Sequence, residues 1–171
     1  MQEAQSQEIF LEEDEPLIVM KMIDYLYCLD YNDHRNDETE ESALMINARV
    51  YIIADKYDIE ALKKWAVTKY QEVLSTRWNS ASFIESTRLI SENTPESDVM
   101  LRDVIVQKAS QCAKRLFDRG EFVKLLRSDS NFATDVLKGV LFEELVPEED
   151  SDMWGTSKLL KKKKNRLLYS N

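Results

Sequence analysis

Glycine and proline are scarce along this chain, because 171 residues contain only three of each. These two residues are the ones that most readily interrupt a helix, whereas the abundant Leu, Lys, Glu, Ala and Met favour helix. Apolar residues also recur at helical spacing through most of the sequence. The sequence therefore predicts a mainly α chain with short connections, rather than a β-sandwich.

The formal net charge of -9 is distributed unevenly. Residues 1–42 contain 13 acidic and 2 basic residues, whereas residues 43–146 contain 15 of each. Such a chain has no broad basic face for a phosphate backbone. Only the tail from Lys158, with six basic residues, could make that contact, and it is short, so a nucleic-acid partner is not expected. The longest apolar runs are a few residues and the acidic start is unlike a signal peptide, so no membrane partner is expected either.

The first part of the chain predicts one short strand followed by three helices. EIFL (Glu8–Leu11) is brief, apolar and bounded by polar residues, as in a strand. A helix should follow, with Asp14 as its N-cap and its end near Leu29–Tyr31. Beyond a polar loop, two helices joined by a tight turn should form a hairpin, the second with Asp58 as its N-cap. The first helix has one apolar face, formed by Val19, Met20, Ile23, Leu26 and Tyr27.

The second part of the chain predicts a further set of helices. Thr94–Pro95 should interrupt the first of them, because proline disfavours a helical residue before it and lacks an N–H donor. A long helix over Asp98–Phe117 is expected next, with Gly120 suited to its C-terminal cap. The last helix should be capped by Asp129 or Asn131.

The predicted elements divide the chain into three parts. Residues 1–75 hold the strand, the first helix and the hairpin, and residues 76–146 hold the helical extension. Residues 147–171 are acidic and then basic with little to bury, so we expect a disordered tail.

The histidine, cysteine and carboxylate residues that could form a catalytic or metal site lie alone or in exposed stretches of the sequence. His34 is the single histidine and stands in a polar loop without further ligands, so we expect no metal site. Cys28 and Cys112 lie far apart on apolar helical positions and are expected to be buried thiols in a reducing compartment. The carboxylates at Glu12–Glu15 and Glu38–Glu41 fall in exposed turns, where they serve helix ends and solubility. No phosphate-binding glycine loop is present. We therefore expect no catalytic residue, no cofactor and no enzyme activity.

Two stretches carry a family resemblance. YLYCLDY (Tyr25–Tyr31) ends the first helix, and ARVYIIADKYDIEAL (Ala48–Leu62) spans the hairpin turn. Together with EIFL and the acidic turn after it, they resemble the C-terminal half of a BTB/POZ domain of the type common in filamentous fungi. TPESDVMLRDV (Thr94–Val104) is similar to the helical extension of such proteins. One departure is Cys28-Leu29, where family members commonly have Thr-Gly, so a shifted helix end is expected.

The resemblance implies a protein–protein interaction module. Members of the family dimerise, and many join substrates to cullin-based ubiquitin ligases or act in transcription complexes, so a cullin scaffold or a BTB partner chain is the implied partner. The aromatic residues on the helical stripes are expected mainly in the core. The alternative is that some of them line a groove left open by the sheet that a complete BTB domain would supply. The contact elements that the resemblance implies contain these candidate interaction residues: Glu12, Glu13, Asp14, Tyr25, Tyr27, Tyr31, Tyr51 and Tyr57.

The resemblance also implies an N-terminally truncated domain. A complete BTB domain would place several strands and its dimer-forming helices before EIFL. We therefore expect an incomplete gene model first, and otherwise a natural truncation or a sheet supplied by another molecule.

The run KLLKKKKNRLL (Lys158–Leu168) is the one sharp local motif. It is open to several interpretations, which are a solvated tail, a nuclear-import signal, or a contact with nucleic acid or acidic lipid. The alternative function is accordingly a nuclear, transcription-associated regulatory protein, and the expected location is cytoplasmic, nuclear or both. The residues that would form the import signal are Lys161, Lys162, Lys163, Lys164 and Arg166.

Overall fold

A computed structural model of the chain describes residues 14–34 and 43–143. These residues are mainly helical, as predicted, and contain no strand. The strand expected at Glu8–Leu11 and the acidic and basic tail lie outside the described residues. The eight helices found within the described ranges are α1 (Pro16–Cys28), α2 (Ala43–Lys56), α3 (Glu60–Arg77), α4 (Ala81–Asn93), α5 (Met100–Gln111), α6 (Ala113–Leu116), α7 (Gly120–Ser128) and α8 (Ser130–Glu143).

The described residues up to Val140 belong to one compact unit, whereas the unit that begins at Leu141 is described only at the end of α8. Within the described ranges, no helix is long and apolar enough to cross a membrane.

Helix α2 forms the centre of the compact unit. It packs against α1, α3 and α4, so side chains on most of its circumference are buried. A helix that is apolar nearly all round is typical of a core position. The predicted hairpin is formed by α2 and α3, and α3 buries Leu62, Ala66 and Tyr70 against its neighbours.

The hairpin turn differs from the prediction at Asp58. This residue does not cap α3, whose N-cap position is Ile59 and has no side-chain hydrogen bond. Asp58 instead has a left-handed φ of 55° and ends α2. The Ile59 N–H donates to the Ala54 carbonyl at 2.8 Å, and the Asp58 N–H donates to the backbone carbonyl of Asp55 at 3.1 Å. This pair of bonds is a Schellman motif, in which Asp is tolerated in place of the usual glycine.

Helix α1 begins one residue later than predicted and ends where predicted. Its N-cap position is Glu15 rather than Asp14, and Pro16 is its first residue. The shift expected from the missing glycine does not occur. Leu29 itself adopts the left-handed conformation, with φ 57° and ψ 20°, and its N–H donates to the Tyr25 carbonyl.

The predicted long helix is broken. α4 ends at Asn93, as the Thr94–Pro95 pair predicts, but the following helix stops at Cys112, where ψ is 8°. Leu101 before the break and Leu116 after it are both fully buried. The apolar stripe therefore continues across the break, and helical spacing alone does not reveal it.

The predicted caps in the last part of the chain have different outcomes. Gly120 does not cap a preceding helix, because it has no positive φ and forms the first residue of α7. Asp129 caps α8 as predicted, since its Oδ1 accepts a hydrogen bond from the Phe132 N–H at 2.9 Å. Asn131 instead donates its side-chain amide to the Glu96 carboxylate.

Candidate protein-interaction surface

Helix α1 has apolar residues on two sides, whose centres lie about 130° apart around the helix axis. One side is buried against the core and consists of Ile18, Met22 and Tyr25. The other side is exposed, and we call it the α1 face. Its residues, with the fraction of each that is exposed, are Met20 (59%), Ile23 (43%), Leu26 (55%), Tyr27 (86%) and Leu29 (74%).

The α1 face is continuous along the helix. At about 100° per residue, its four helical members fall within an arc of about 120°, and Leu29 follows directly after the helix end. A surface helix normally has a single apolar stripe, which faces the core. Single exposed apolar residues are common, but a contiguous exposed patch marks a surface that another molecule covers.

The sequence predicts only one apolar face for α1, which includes Met20, Ile23, Leu26 and Tyr27. The structure shows that this face is mainly exposed, and that Ile18, Met22 and Tyr25 are buried in the core instead. Both stripes are present in the sequence, and helical spacing does not say which one the core takes.

A polar network fixes the chain after α1. The Tyr31 hydroxyl donates to Asn47 Oδ1 at 2.8 Å, and Asn47 Nδ2 donates to Asp33 Oδ2 at 3.0 Å. Tyr31 is only 2% exposed. Burial, and then the nearby charge of Asp33, raise the pKa of its hydroxyl, which therefore stays a donor. The network ties the segment after α1 to the central helix α2.

Asp30 provides a second tie, to α3. Its Oδ1 accepts a hydrogen bond from Trp65 Nε1 at 2.9 Å and pairs with Lys69 Nζ at 3.0 Å. The Trp65 and Lys69 contacts hold the pKa of Asp30 below its usual value. The Lys69 ammonium also lies 5.1 Å from the centre of the Tyr31 ring. The polar residues of the YLYCLDY motif thus hold the C-terminal end of α1 in place.

The N-terminal end of α1 is held by the hairpin turn. Asp14 accepts a hydrogen bond from the Tyr57 hydroxyl at 2.5 Å and pairs with Lys56 Nζ at 2.9 Å. The Tyr57 bond is the main reason that the pKa of Asp14 lies below its usual value. Glu15 pairs with Arg49 of α2 at 2.8 Å. The α1 face therefore lies on a helix that is anchored at both ends.

The predicted interaction residues take up different positions. Tyr25, Tyr31 and Tyr51 are buried, whereas Tyr57 is half-buried and engaged with Asp14. Tyr27 is the most exposed of the five tyrosines and lies in the α1 face. Glu12, Glu13 and the lysine-rich import residues lie outside the described residues.

A charged cluster that sequence analysis missed joins the hairpin to the helical extension. Lys63 Nζ lies 2.6 Å from Asp55 and 2.9 Å from Asp98, and the Tyr51 hydroxyl donates to Asp98 at 2.5 Å. Lys63 and Asp98 are far apart in sequence, so local spacing could not pair them. The signals available were the lysine inside the α3 stripe and the aspartate just before α5.

The pKa shifts of Lys63, Asp98 and Tyr51 determine the charge state of this cluster. Burial alone would lower the pKa of Lys63, but its bonds to Asp55 and Asp98 outweigh burial and raise it. Burial alone would raise the pKa of Asp98, but the bonds from Tyr51 and Lys63 outweigh it and lower the pKa. Burial and the Asp98 bond raise the pKa of Tyr51. Each shift moves the pKa of its group further from pH 7. Near that pH the three groups therefore keep their charge states, and the cluster acts as a structural tie.

The remaining chemistry-bearing residues are dispersed. His34 is exposed, with Nε2 3.8 Å from Asp33 Oδ1. In the described part of the chain, no three His, Cys, Asp or Glu residues are grouped so as to hold a metal ion. Cys28 is exposed, contrary to the prediction, and Cys112 is half-buried.

Comparison of the chain with family models, curated proteins and solved structures found no match. The resemblance to BTB/POZ domains therefore rests on the sequence motifs alone.

Proposed function

We propose that this chain is a protein–protein interaction module of BTB type that acts as an adaptor for a cullin-based ubiquitin ligase. The observation that supports it most is the α1 face, an exposed apolar surface on a helix held at both ends. A binding surface on a rigid element loses less conformational entropy when a partner docks than one on a loop.

The motifs of the resemblance fit this proposal because their residues build the support of the surface. Asp30 and Tyr31 of YLYCLDY hold the end of α1, and Tyr57 of ADKYDI holds its start through Asp14. The aromatic residue left outward is Tyr27, and tyrosine is one of the residues that contribute most binding energy at protein interfaces.

The test is binding of the full chain to a purified cullin N-terminal domain by isothermal titration calorimetry. A variant with Met20→Asp and Tyr27→Asp should bind at least about tenfold more weakly, because it places charges in the centre of an apolar contact. Leu137→Asp is the matched control, since Leu137 is also 59% exposed but lies on α8. The proposal is wrong if the native chain does not bind, or if the variant binds as well as the control.

A second candidate function is that of a nuclear, transcription-associated regulator, which the sequence KKKKNR favours. Deletion of Lys161–Arg166 should then abolish nuclear accumulation of the tagged full chain, as seen by fluorescence microscopy. An unchanged distribution would exclude an import role for these residues.

A further inference from the structure

We propose that a cleft between α3 and α5 binds a small carboxylate that also carries an amide group, and that Lys108 pairs with the carboxylate. The cleft has a volume of about 220 Å³. It shares no residue with the α1 face, so its ligand is independent of the proposed function. The lining includes Gln71 and Leu74 of α3, and Val104, Gln107, Lys108 and Gln111 of α5.

Lys108 is a charged residue in an otherwise apolar stripe of α5. At about 100° per residue it lies about 20° from Leu101 and about 60° from Ile105 around the helix axis, and both of those residues are buried. The Lys108 side chain is half-buried and lines the cleft together with Leu74 and Val104. A lysine is uncommon at such a position unless another group compensates its charge.

No carboxylate compensates Lys108 within the described ranges. Lys63, the lysine inside the α3 stripe, lies 2.6 Å from Asp55 and 2.9 Å from Asp98. Lys108 forms no ion pair with another described residue, and none of the residues that line its cleft is acidic. An anionic ligand in the cleft would supply the compensating charge through a charge-assisted hydrogen bond.

Three glutamine amides line the same cleft, at Gln71, Gln107 and Gln111. None of them is hydrogen-bonded to another residue in the described part of the chain, so each can donate to a ligand and accept from it. Phosphate sites usually gather several cations or backbone N–H groups, whereas a single ammonium lines this cleft. One positive charge among amides matches a ligand with one carboxylate and an amide.

The volume of the cleft limits the ligand to a small molecule or to the end of a chain. Since one water occupies about 30 Å³ in the liquid, the cleft has room for about seven waters. N-acetylglycine is close to this size and carries one carboxylate and one amide, as the C-terminal residue of a peptide also does. We expect it to bind with a dissociation constant on the order of 1 mM, because so small a ligand makes few contacts.

The test is a titration of the isotope-labelled full chain with N-acetylglycine at constant ionic strength, followed by NMR. The side-chain amide signals of the three glutamines report on the cleft. Lys108→Met should bind at least about tenfold more weakly, because it removes the charge but keeps an unbranched side chain that suits the apolar stripe. Lys124→Met is the matched control, since Lys124 is exposed on α7 and the change in net charge is the same. The control should bind like the native chain, and unchanged circular dichroism checks that both variants are folded.

Two further ligands test the chemistry of recognition. N-acetylglycinamide replaces the carboxylate by an amide of about the same size, so it should bind at least about tenfold more weakly than N-acetylglycine. Inorganic phosphate should also bind at least about tenfold more weakly. Equal binding of N-acetylglycinamide would overturn the role of the charge, and equal binding of phosphate would overturn the choice of a carboxylate.

An N-acetylated peptide that ends in the same glycine distinguishes the two sources of this chemistry. Binding at least as tight as that of N-acetylglycine assigns the cleft to a peptide C-terminus, and weaker binding assigns it to a free small acid.

The proposal is overturned if N-acetylglycine causes no saturable shift of the glutamine signals up to about 20 mM. It is also overturned if Lys108→Met binds as well as Lys124→Met, because Lys108 then only packs its hydrocarbon stem on the cleft wall. The Met20→Asp, Tyr27→Asp variant should bind N-acetylglycine like the native chain. Loss of cullin binding and loss of this ligand are therefore separate results.

Discussion

Leu29 has a β-carbon but adopts a backbone conformation that normally favours glycine. Its φ of 57° lies in the left-handed region, and its side chain is 74% exposed. The left-handed conformation costs a non-glycine residue roughly 1–2 kcal/mol, and little buried contact offsets that cost here. The exposed leucine does, however, extend the α1 face beyond the helix end. Stability and a binding surface therefore place opposite demands on this position.

Leu29→Gly should raise the free energy of unfolding by about 1 kcal/mol, since glycine adopts the left-handed conformation without steric cost. Urea denaturation followed by circular dichroism measures this. Leu29→Ala is the control, because it removes the same exposed side chain but keeps the β-carbon, and it should give no such gain. A glycine variant no more stable than the alanine variant would contradict the argument.

Asp98 is the residue on which the charged cluster depends, because it binds both Lys63 and the Tyr51 hydroxyl. Asp98→Asn removes the charge that compensates Lys63, so it should lower the free energy of unfolding by about 2–3 kcal/mol. Asp103→Asn is the matched control, since Asp103 is exposed on α5, and it should change stability by less than about 0.5 kcal/mol. Equal effects of the two substitutions in urea denaturation would rule out a stabilising role for the cluster.

At the scale of the elements, α5 and α8 approach each other closely at Gly139. A β-carbon built on Gly139 would lie 2.2 Å from Ser110 Oγ and 2.8 Å from Ser110 Cβ. The Ser110 hydroxyl lies between the helices, where it contacts the carbonyl of Val106 at 2.8 Å and that of Val136 at 3.1 Å. The small size of Gly139 therefore permits this helix contact.

Gly139→Ala should destabilise the chain by about 1–3 kcal/mol, because the added methyl group must displace Ser110 or separate the helices. Gly120→Ala is the paired variant. Gly120 is also helical, but nothing lies within 4 Å of its built β-carbon, so alanine there should stabilise by about 0.5–1 kcal/mol. The opposite signs should appear in the midpoints of thermal unfolding, and a shared sign would refute the close contact.

The helices themselves were largely predictable, since local signals mark them. Ser80 caps α4, and its side chain accepts the Phe83 N–H at 3.2 Å, while Thr94–Pro95 ends the same helix. Asp58 and Gly120 were assigned the wrong caps because Asp and Gly each suit more than one position at a helix boundary. Propensity alone does not decide between them.

At the scale of the whole molecule, three carboxylates of the described residues couple stability to pH. Hydrogen bonds and ion pairs lower the pKa of Asp14, Asp30 and Asp98 below its usual value. Because the unfolded chain has the ordinary pKa near 3.9, their contributions are complete above that pH. The contributions are lost as the pH falls through the lower values of the folded chain.

The urea midpoint should thus stay nearly constant between about pH 7 and pH 5 and decrease towards pH 3. Asp98→Asn, which lacks one of the three groups, should show a smaller decrease over the lower interval. The same decrease in both proteins would mean that Asp98 is not held below its usual pKa in the folded chain.

The sequence by itself determined the helical class, some of the helix boundaries and the positions of the two motifs. These depend on spacing, propensity and capping, which act between residues close along the chain. Only the tertiary structure decided which apolar side of α1 is buried and that Lys63 pairs with Asp98. Both are contacts between distant segments, and the packing of α2, α3 and α4 determines them. The α1 face, on which the proposed function rests, is exposed because that packing takes the other side of the helix.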